Sequence, residues 1–466
     1  MDTIISIFTI IVLLLNFSVK SFAVTDKKIN PLKLHIDSIV VDGHNDTMMK
    51  IIDETTWLPN IDIRRETQNQ IDIPKLRAGN LKVPFFSAYT SAYYGNPNKS
   101  VSRTLALINA LYWTEKNNAD IFEISSTYDE IEKGILAKKI AAVPTMEGAY
   151  SLVEDNAMEL LEQYHDLGVK VIGFTWNYSN DLGEGAYRAY ADRDGTHSSG
   201  GLTELGAEVV ERMNELGMIV DVSHMAESTF WDVINTTKAP VIASHSGVYA
   251  MKAHQRNLND EQLKALAKNG GVIGIVLYPE FLTDKKETFI KDFVDHIDYA
   301  VKLIGVDHVG IGSDFDGATM PKDLKDSSKI YKITEELVRR NYKKEEIQKI
   351  LGKNFLRVIK ECDKLAEVPN KASNIRIEPF LEMGEIIKDG TPLLKAKIEG
   401  NEIDQAGFRI IINGIVHNPT FDKETSTLSY KIKNPLIEKF YVVTFEAKNT
   451  DGEIQRESRI FYNCEL

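Results

Sequence analysis

Eight short apolar runs rich in β-branched residues alternate with stretches of helical periodicity between residues 38 and 362, and this repeat leaves the chain few folds. The runs are 38–46, 82–89, 140–148, 169–176, 218–224, 240–245, 271–277 and 308–314. Parallel strands joined by helices are covered on both faces, so they read as near-continuous apolar segments. Between them, residues 100–119 repeat apolar positions at Leu105, Ile108, Leu111 and Tyr112, and 203–216 does so at Leu205, Val209, Met213 and Leu216. Such spacing marks helices with one buried face. The pattern predicts an α/β architecture, a closed (β/α)8 TIM-like barrel, with an open doubly wound sheet as the competitor. Closure is favoured because Asp46, Glu147, His224, His245 and Asp314 all fall at predicted strand C-termini, and a barrel gathers those ends at one rim.

The alternation lapses after Asp363. A barrel over 24–363 is therefore expected, then a linker over 364–388 containing Pro369 and Pro379, then a small all-β, sandwich-like domain over 389–466. That last domain is read from the runs 393–398, 407–413, 427–432, 439–447 and 453–462, separated by Gly, Asn, Pro and Asp. It holds His417 as its sole histidine, so a packing or surface-interaction role is expected of it.

Ile4 to Phe17 is nearly all apolar, and Ser21-Phe22-Ala23 supplies a small-x-small cleavage pattern. This predicts a signal peptide over 1–23 and export to a periplasmic or extracellular location, with surface association left open. Asp2 and the lack of a basic side chain before the apolar run leave an uncleaved anchor as the alternative. No later segment has the length and apolarity of a membrane span, so none is expected in the mature chain. The formal charge of −13 argues against a nucleic-acid partner. The two cysteines, Cys362 and Cys464, exclude a disulfide scaffold and are not spaced as a zinc knuckle; a single bridge between them stays open.

The first run ends in His44-Asn45-Asp46, and on an extended backbone His44 and Asp46 project to the same side. A pair of divalent metals needs a bridging carboxylate and enough further ligands to hold each ion. His44 and Asp46 are placed to hold one ion, His224 and His245 the other, and Glu147 to span both. Each histidine could instead be a hydrogen-bonded core residue, but five ligand-type residues at five matching strand ends argue against that for the set. Asp314, in Gly312-Ser313-Asp314-Phe315-Asp316-Gly317, is expected to face the pocket as general base and then acid, whereas Asp316 reads as a turn-capping carboxylate. Arg256, on the loop after the sixth run, has the planar fork that binds a substrate carboxylate, with an ordinary surface arginine as the alternative.

An ordered set of motifs resembles the membrane dipeptidase (renal dipeptidase) family, a branch of the metal-dependent amidohydrolase-type barrels. It comprises Asp42-Gly43-His44-Asn45-Asp46, Ile73-Pro74-Lys75-Leu76-Arg77-Ala78-Gly79, Glu147-Gly148, Gly201-Leu202-Thr203, Asn214-Glu215-Leu216-Gly217-Met218, Asp221-Val222-Ser223-His224, Ser244-His245-Ser246, Arg256-Asn257, the 310–317 segment and Gly352-Lys353-Asn354-Phe355-Leu356-Arg357. The resemblance implies two Zn2+ per chain with Glu147 bridging, Asp314 as the catalytic acid/base, and Arg256 against the substrate's C-terminal carboxylate. It further implies dipeptide substrates, including ones with a C-terminal D-residue, and a homodimer. The animal members carry a histidine where this chain has Trp176, within Phe174-Thr175-Trp176-Asn177, so Trp176 and Asn177 are expected at the substrate. An indole N–H donates one hydrogen bond but cannot accept a proton. A related amidase or lactonase on a non-peptide substrate therefore stays open, as does a non-catalytic surface-binding protein on a barrel scaffold.

Overall fold

The computed structural model describes residues 29–91, 95–186, 200–367 and 374–464; the expected signal peptide lies outside these. Nine parallel-paired strands fill the first part: β1 (Val40–Asn45), β2 (Leu81–Tyr89), β3 (Phe122–Ile124), β4 (Ile140–Glu147), β5 (Val171–Gly173), β6 (Ile219–Asp221), β7 (Ile242–Ser246), β8 (Val272–Val276) and β9 (Val309–Gly312). Eight of them run in the order β1-β2-β4-β5-β6-β7-β8-β9, while β3 pairs with β4 off this path. The circle closes through loop backbone, where Asp314 N–H donates to His44 C=O at 3.0 Å and Asp46 N–H donates to Phe315 C=O at 2.8 Å. Asp42 reinforces the seam, accepting from Ser313 N–H at 2.7 Å and Ser313 Oγ at 2.6 Å. The open doubly wound sheet is thereby excluded.

Helices form where the periodicity predicts them, and local chemistry sets their starts. Tyr128–Leu136 begins at a capping box in which Thr127 accepts from Glu130 N–H, and Glu204–Glu215 begins at Thr203, whose hydroxyl accepts from Gly206 N–H. The strands bury both faces, as a covered parallel sheet requires. Phe355, fully buried on the helix Asn354–Leu365, plugs the barrel floor. A Cβ built at Gly43 or Gly310 would stand 2.7 or 2.5 Å from its ring, so these strand glycines make room for the plug.

The C-terminal part is a two-sheet β domain. Strands β10 (Ile375–Pro379), β12 (Leu393–Gly400), β16 (Thr427–Lys431) and β15 (Thr420–Asp422) make one sheet. The second comprises β11 (Glu385–Ile387), β18 (Ile454–Asn463), β17 (Phe440–Asn449), β13 (Ile403–Ile412) and β14 (Ile415–His417). Alternate residues such as Leu394, Ile410, Val443 and Phe461 fill the space between the sheets. The other face of β17 and β18 joins the barrel core through Phe440, Val442, Ile460 and Tyr462. Gln163 of the barrel helix Ala157–Asp166 bonds across the junction to Ile411 C=O at 3.1 Å and Thr444 Oγ1 at 2.8 Å, and accepts from Gly414 N–H at 2.7 Å. The stretch expected as a linker contains β10 and β11; β10 alternates, with Ile375 and Ile377 buried and Arg376 exposed, but ends at Pro379 after five residues, and β11 has only three. Cys362 is buried and Cys464 exposed, and both are free thiols.

Candidate metal centre

His44, Asp46, Glu147, His224 and His245 converge at the mouth of the barrel. Period-two alternation along β1 and its exit brings His44 and Asp46 together, with His44 Nε2 3.5 Å from Asp46 Oδ2. Glu147, the last residue of β4, turns its two carboxylate oxygens to different partners. Oε2 lies 3.4 Å from His44 Nε2, while Oε1 lies 2.8 Å from His224 Nε2 and 3.5 Å from His245 Nε2. His224 reaches in from beyond β6 with a left-handed backbone, φ 66°, and Asp314 does the same beyond β9 with φ 62°. Such conformations are uncommon for residues with a side chain and cluster at functional sites.

The other ring nitrogens fix where the lone pairs point. Asn177 Oδ1 accepts from His224 Nδ1 at 2.8 Å. Ser244 Oγ donates to Asp221 Oδ2 at 2.5 Å, so its 2.8 Å contact with His245 Nδ1 makes that nitrogen the donor. Each ring therefore carries its proton on Nδ1 and bares Nε2, and the two bare nitrogens face one another at 2.8 Å. Burial and the Arg256 charge push the His224 ring down to about 3, keeping it neutral. Two lone pairs and a carboxylate oxygen meeting in a buried space repel one another unless a cation lies among them.

The second half makes the same demand. His44 Nε2 and Asp46 Oδ1 are buried without a hydrogen-bond partner. Burial opposes a charge on His44, but Glu147 and Asp46 outweigh it and hold its pKa well above the ordinary histidine value. The acidic groups thus draw positive charge to this point. His44, Asp46 and Glu147 form one group with ligand atoms within 4.8 Å of one another, and Glu147, His224 and His245 another. Sharing Glu147, they build a binuclear zinc-type site from imidazole and carboxylate donors. A third geometric grouping includes Asp221, but its oxygens are committed to Ser223 N–H, Ser244 N–H and Ser244 Oγ. It orients His245, as outer partners of metal-binding histidines commonly do.

Around this set lies a cavity of about 690 Å3 whose lining includes Asp46, Glu147, Trp176, Asn177, His224, Arg256 and Asp314. Asp314 is raised well above the ordinary carboxylate range, by burial first and then by the negative charges of Asp46 and Glu147. A Cβ at Gly317 would stand 2.2 Å from Asp46 Oδ2 and 2.4 Å from Asp314 Oδ1, so only glycine lets this loop fold over both carboxylates. Arg256 is 3% exposed and donates to His245 C=O at 3.1 Å and to Ser246 Oγ at 3.4 Å, with its guanidinium 5.5 Å from the Phe281 ring centre. Trp176 stands edge-on to Tyr89, with ring centres 5.5 Å apart, and 6.1 Å from the His224 ring. Of the nine expected site side chains, Asp46, Glu147, Trp176, Asn177, His224, Arg256 and Asp314 line this cavity, and His44 and His245 stand behind them within the ligand set. The sequence reading missed Ser244, Asp221 and the use of Asn177 Oδ1 on His224. The signal for the first two was present, since Asp221 and Ser244 stand in the same motifs as the two histidines.

Residues 30–373 match the profile of the membrane dipeptidase family, peptidase family M19. A dipeptidase AclJ of Aspergillus oryzae is 32% identical over 363 residues, covering 74% of this chain and 83% of the relative. An uncharacterised dipeptidase of Schizosaccharomyces pombe is 33% identical over 343 residues, covering 70% and 81%. Among solved structures, a metallopeptidase from Rhodobacter sphaeroides, bound to a phosphinate mimic of the dipeptide L-Ala-D-Ala, superposes with a TM-score of 0.62 at 25% identity, covering 70% of this chain and 100% of that one. The fold is also that of a probable dipeptidase, PvdM, from Pseudomonas aeruginosa, with a TM-score of 0.64 at 24% identity over 72% and 98% of the chains. With its ligand set gathered around Glu147 at the mouth of a parallel barrel, this chain belongs to the membrane dipeptidase family.

Proposed function

We propose that the protein is a zinc-dependent dipeptidase that accepts dipeptides with a C-terminal D-residue. The observation that carries this reading is Glu147, whose two oxygens face two separate sets of nitrogen and oxygen donors. In this reading His44 and Asp46 hold one zinc, His224 and His245 the other, and Glu147 bridges. Bound there, zinc supplies Lewis-acid polarisation of a carbonyl and brings the pKa of a coordinated water towards about 7. Asp314, buried beside the ligand carboxylates, takes a proton from the attacking water at its carboxylate and returns it to the leaving amine. Arg256, fixed by His245 C=O and stacked near Phe281, pairs with the terminal carboxylate and so favours dipeptides over longer chains. Asn177 holds the His224 ring in its ligand tautomer, and Trp176 forms an aromatic wall where the animal relatives carry a histidine. The L-Ala-D-Ala mimic held by the Rhodobacter relative supports the choice of a D-residue at the second position.

The deciding experiment pairs zinc analysis of the purified protein with a panel of L,L and L,D dipeptides. Close to two zincs per chain, with turnover that includes L,D substrates, is expected. Two zincs without dipeptide turnover moves the assignment to another amide or ester. Asp314→Asn is expected to lower kcat by roughly 10²–10⁴-fold with both zincs retained; full activity in that variant removes the proton-transfer role.

The same reading includes export by residues 1–23, a mature barrel over 24–363 joined through 364–388 to the β domain over 389–466, and a homodimer without nucleic-acid partners. No helix among the described residues is long and apolar enough to cross a membrane.

A further inference from the structure

The β domain holds the barrel by one arc of its ring. Among the described residues its hydrogen bonds to the barrel fall in three places: the hairpin after β1, the helix Pro97–Asn118 after β2 and the helix Ala157–Asp166 after β4. On the last of these, Glu159, Glu162, Gln163 and Asp166 share one face, and the β domain meets all four. Arg409 pairs with Glu159 at 3.2 Å, Arg456 pairs with Glu162, and Ser458 Oγ donates to Asp166 Oδ2 at 3.3 Å, beside the Gln163 bonds already described. This helix is in turn tied to the loop that leaves Glu147. Tyr164 Oη donates to Ser151 Oγ at 2.9 Å, and Asn156 donates to Ser151 C=O at 3.2 Å and accepts from Val153 N–H at 3.0 Å. The domain's footing is therefore registered to Glu147.

From that footing it reaches the chain next to Asp46. Asp46 is the N-cap of the single turn Thr47–Lys50, which runs straight into a hairpin where Ile51 C=O accepts from Asn60 N–H at 2.8 Å and Asp53 N–H donates to Leu58 C=O at 2.9 Å. Asp53 Oδ1 closes the tip, accepting from Thr55 N–H at 2.9 Å and Thr56 N–H at 2.7 Å. Trp57, in the same tip, has φ 63°, a conformation that a bulky side chain keeps only where its surroundings impose it. Those surroundings include two cations: Lys439 Nζ of the β domain lies 4.7 Å from the ring centre and the Arg103 guanidinium 5.2 Å. Lys439 also donates to Thr55 C=O, and the neighbouring Phe440 N–H donates to Ser102 Oγ at 2.9 Å.

We propose that the β domain braces one half of the metal pair, with Lys439 and Trp57 as positioning residues that fix the Asp46 side relative to Glu147. The inference rests on the two-zinc reading. His44, Asp46 and Glu147 stand on or just beyond β1 and β4, inside the braced arc, whereas His224 and His245 belong to β6 and β7, outside it. A ligand carboxylate holds its ion only as well as the structure behind it is held, so slack in the hairpin is felt at the zinc between His44 and Asp46.

The test is stepwise removal of Zn2+ by a chelator from the full two-zinc protein, comparing the wild type with Lys439→Met and Trp57→Gly and with the conservative Lys439→Arg and Trp57→Phe. Glycine suits position 57 because it accepts the left-handed backbone. Lys439→Met and Trp57→Gly are expected to release one zinc at about tenfold lower chelator concentration, the lower end of what loss of an outer partner costs, and to leave the other unchanged. Lys439→Arg and Trp57→Phe should recover most of the difference. Added to His245→Ala, which keeps the His44–Asp46 zinc, the two variants should show the same tenfold loss; added to His44→Ala, they should show none. Unchanged zinc release in both variants, with or without a fall in melting temperature, overturns the brace while leaving the dipeptidase reading intact, and so does equal weakening of the two zincs. A wild-type protein that binds no zinc removes both.

Discussion

Among the described residues five histidines are buried, three at the barrel mouth and two in the shell around it. In the shell, His35 accepts from Thr334 Oγ1 at Nδ1, 2.8 Å, and meets Gly79 C=O at Nε2, 2.7 Å. His296 accepts from Val248 N–H at 3.0 Å and donates to Leu282 C=O at 2.9 Å. Both rings are finished within the protein, and each ties distant segments together. At the mouth, by contrast, His224 and His245 have one nitrogen oriented by an outer partner and the other bared toward its neighbours, while His44 Nε2 has no hydrogen-bond partner. Burial is common to both groups, so burial does not identify a ligand. What separates them is whether the second nitrogen has somewhere to go.

The contrast can be broken at either group. His245→Ala should lower zinc content from two per chain toward one and reduce kcat/KM by roughly a thousandfold, since several kcal/mol of transition-state stabilisation depend on the metal pair; full zinc retention by metal analysis would erase the distinction. Ser244→Ala removes the outer partner of the same ring and is expected to weaken zinc affinity by about 10–100-fold in a chelator competition. His296→Ala should do the opposite, leaving zinc stoichiometry alone while destabilising the fold by about 2–4 kcal/mol in denaturant titration, through two lost hydrogen bonds and a cavity.

The smallest effect is on pH. Burial, ahead of a countervailing bond to Gly79 C=O, holds His35 below its ordinary value of 6.5. The folded protein therefore keeps this ring neutral while the unfolded chain takes up a proton below about pH 6.5. Its contribution is complete above that pH and is lost as pH falls from there toward the folded value, at no more than about 1.4 kcal/mol per pH unit. His35→Gln should flatten that slope in stability curves taken between pH 7 and 5, and an unchanged slope would show that the ring charges freely in the fold.

Where physical patterns are local, the sequence was a sufficient guide. The helices Pro97–Asn118 and Glu204–Glu215 lie within three residues of the periodic stretches 100–119 and 203–216, because side-chain spacing and caps decide them nearby. The five ligand-type residues were legible because strand ends in a barrel share one rim. Short strands were not: β3 and β11, of three residues each, have too few positions to display a period. Expected strands were also too long at their ends, since β5 stops at Gly173 and β6 at Asp221, before the chain leaves the sheet to place Trp176 and His224. The clasp of Asp316 on Gln70 escaped notice because its partners stand 246 positions apart, and no local pattern reports a contact of that span.

The barrel seam also sets a schedule for synthesis. Ser313 and Asp42, which knit the first and last strands together, stand 271 positions apart, and the Asp314–His44 backbone bond spans nearly as far. His44 and Asp46 are among the first folded residues to be made, yet the walls that hold them arrive with β9. A ribosome stalled before Ser313 would leave a chain with all five ligand residues and no enclosed site. Closure at long sequence separation is slow to reach, so metal capture becomes a late event tied to completion of the ring.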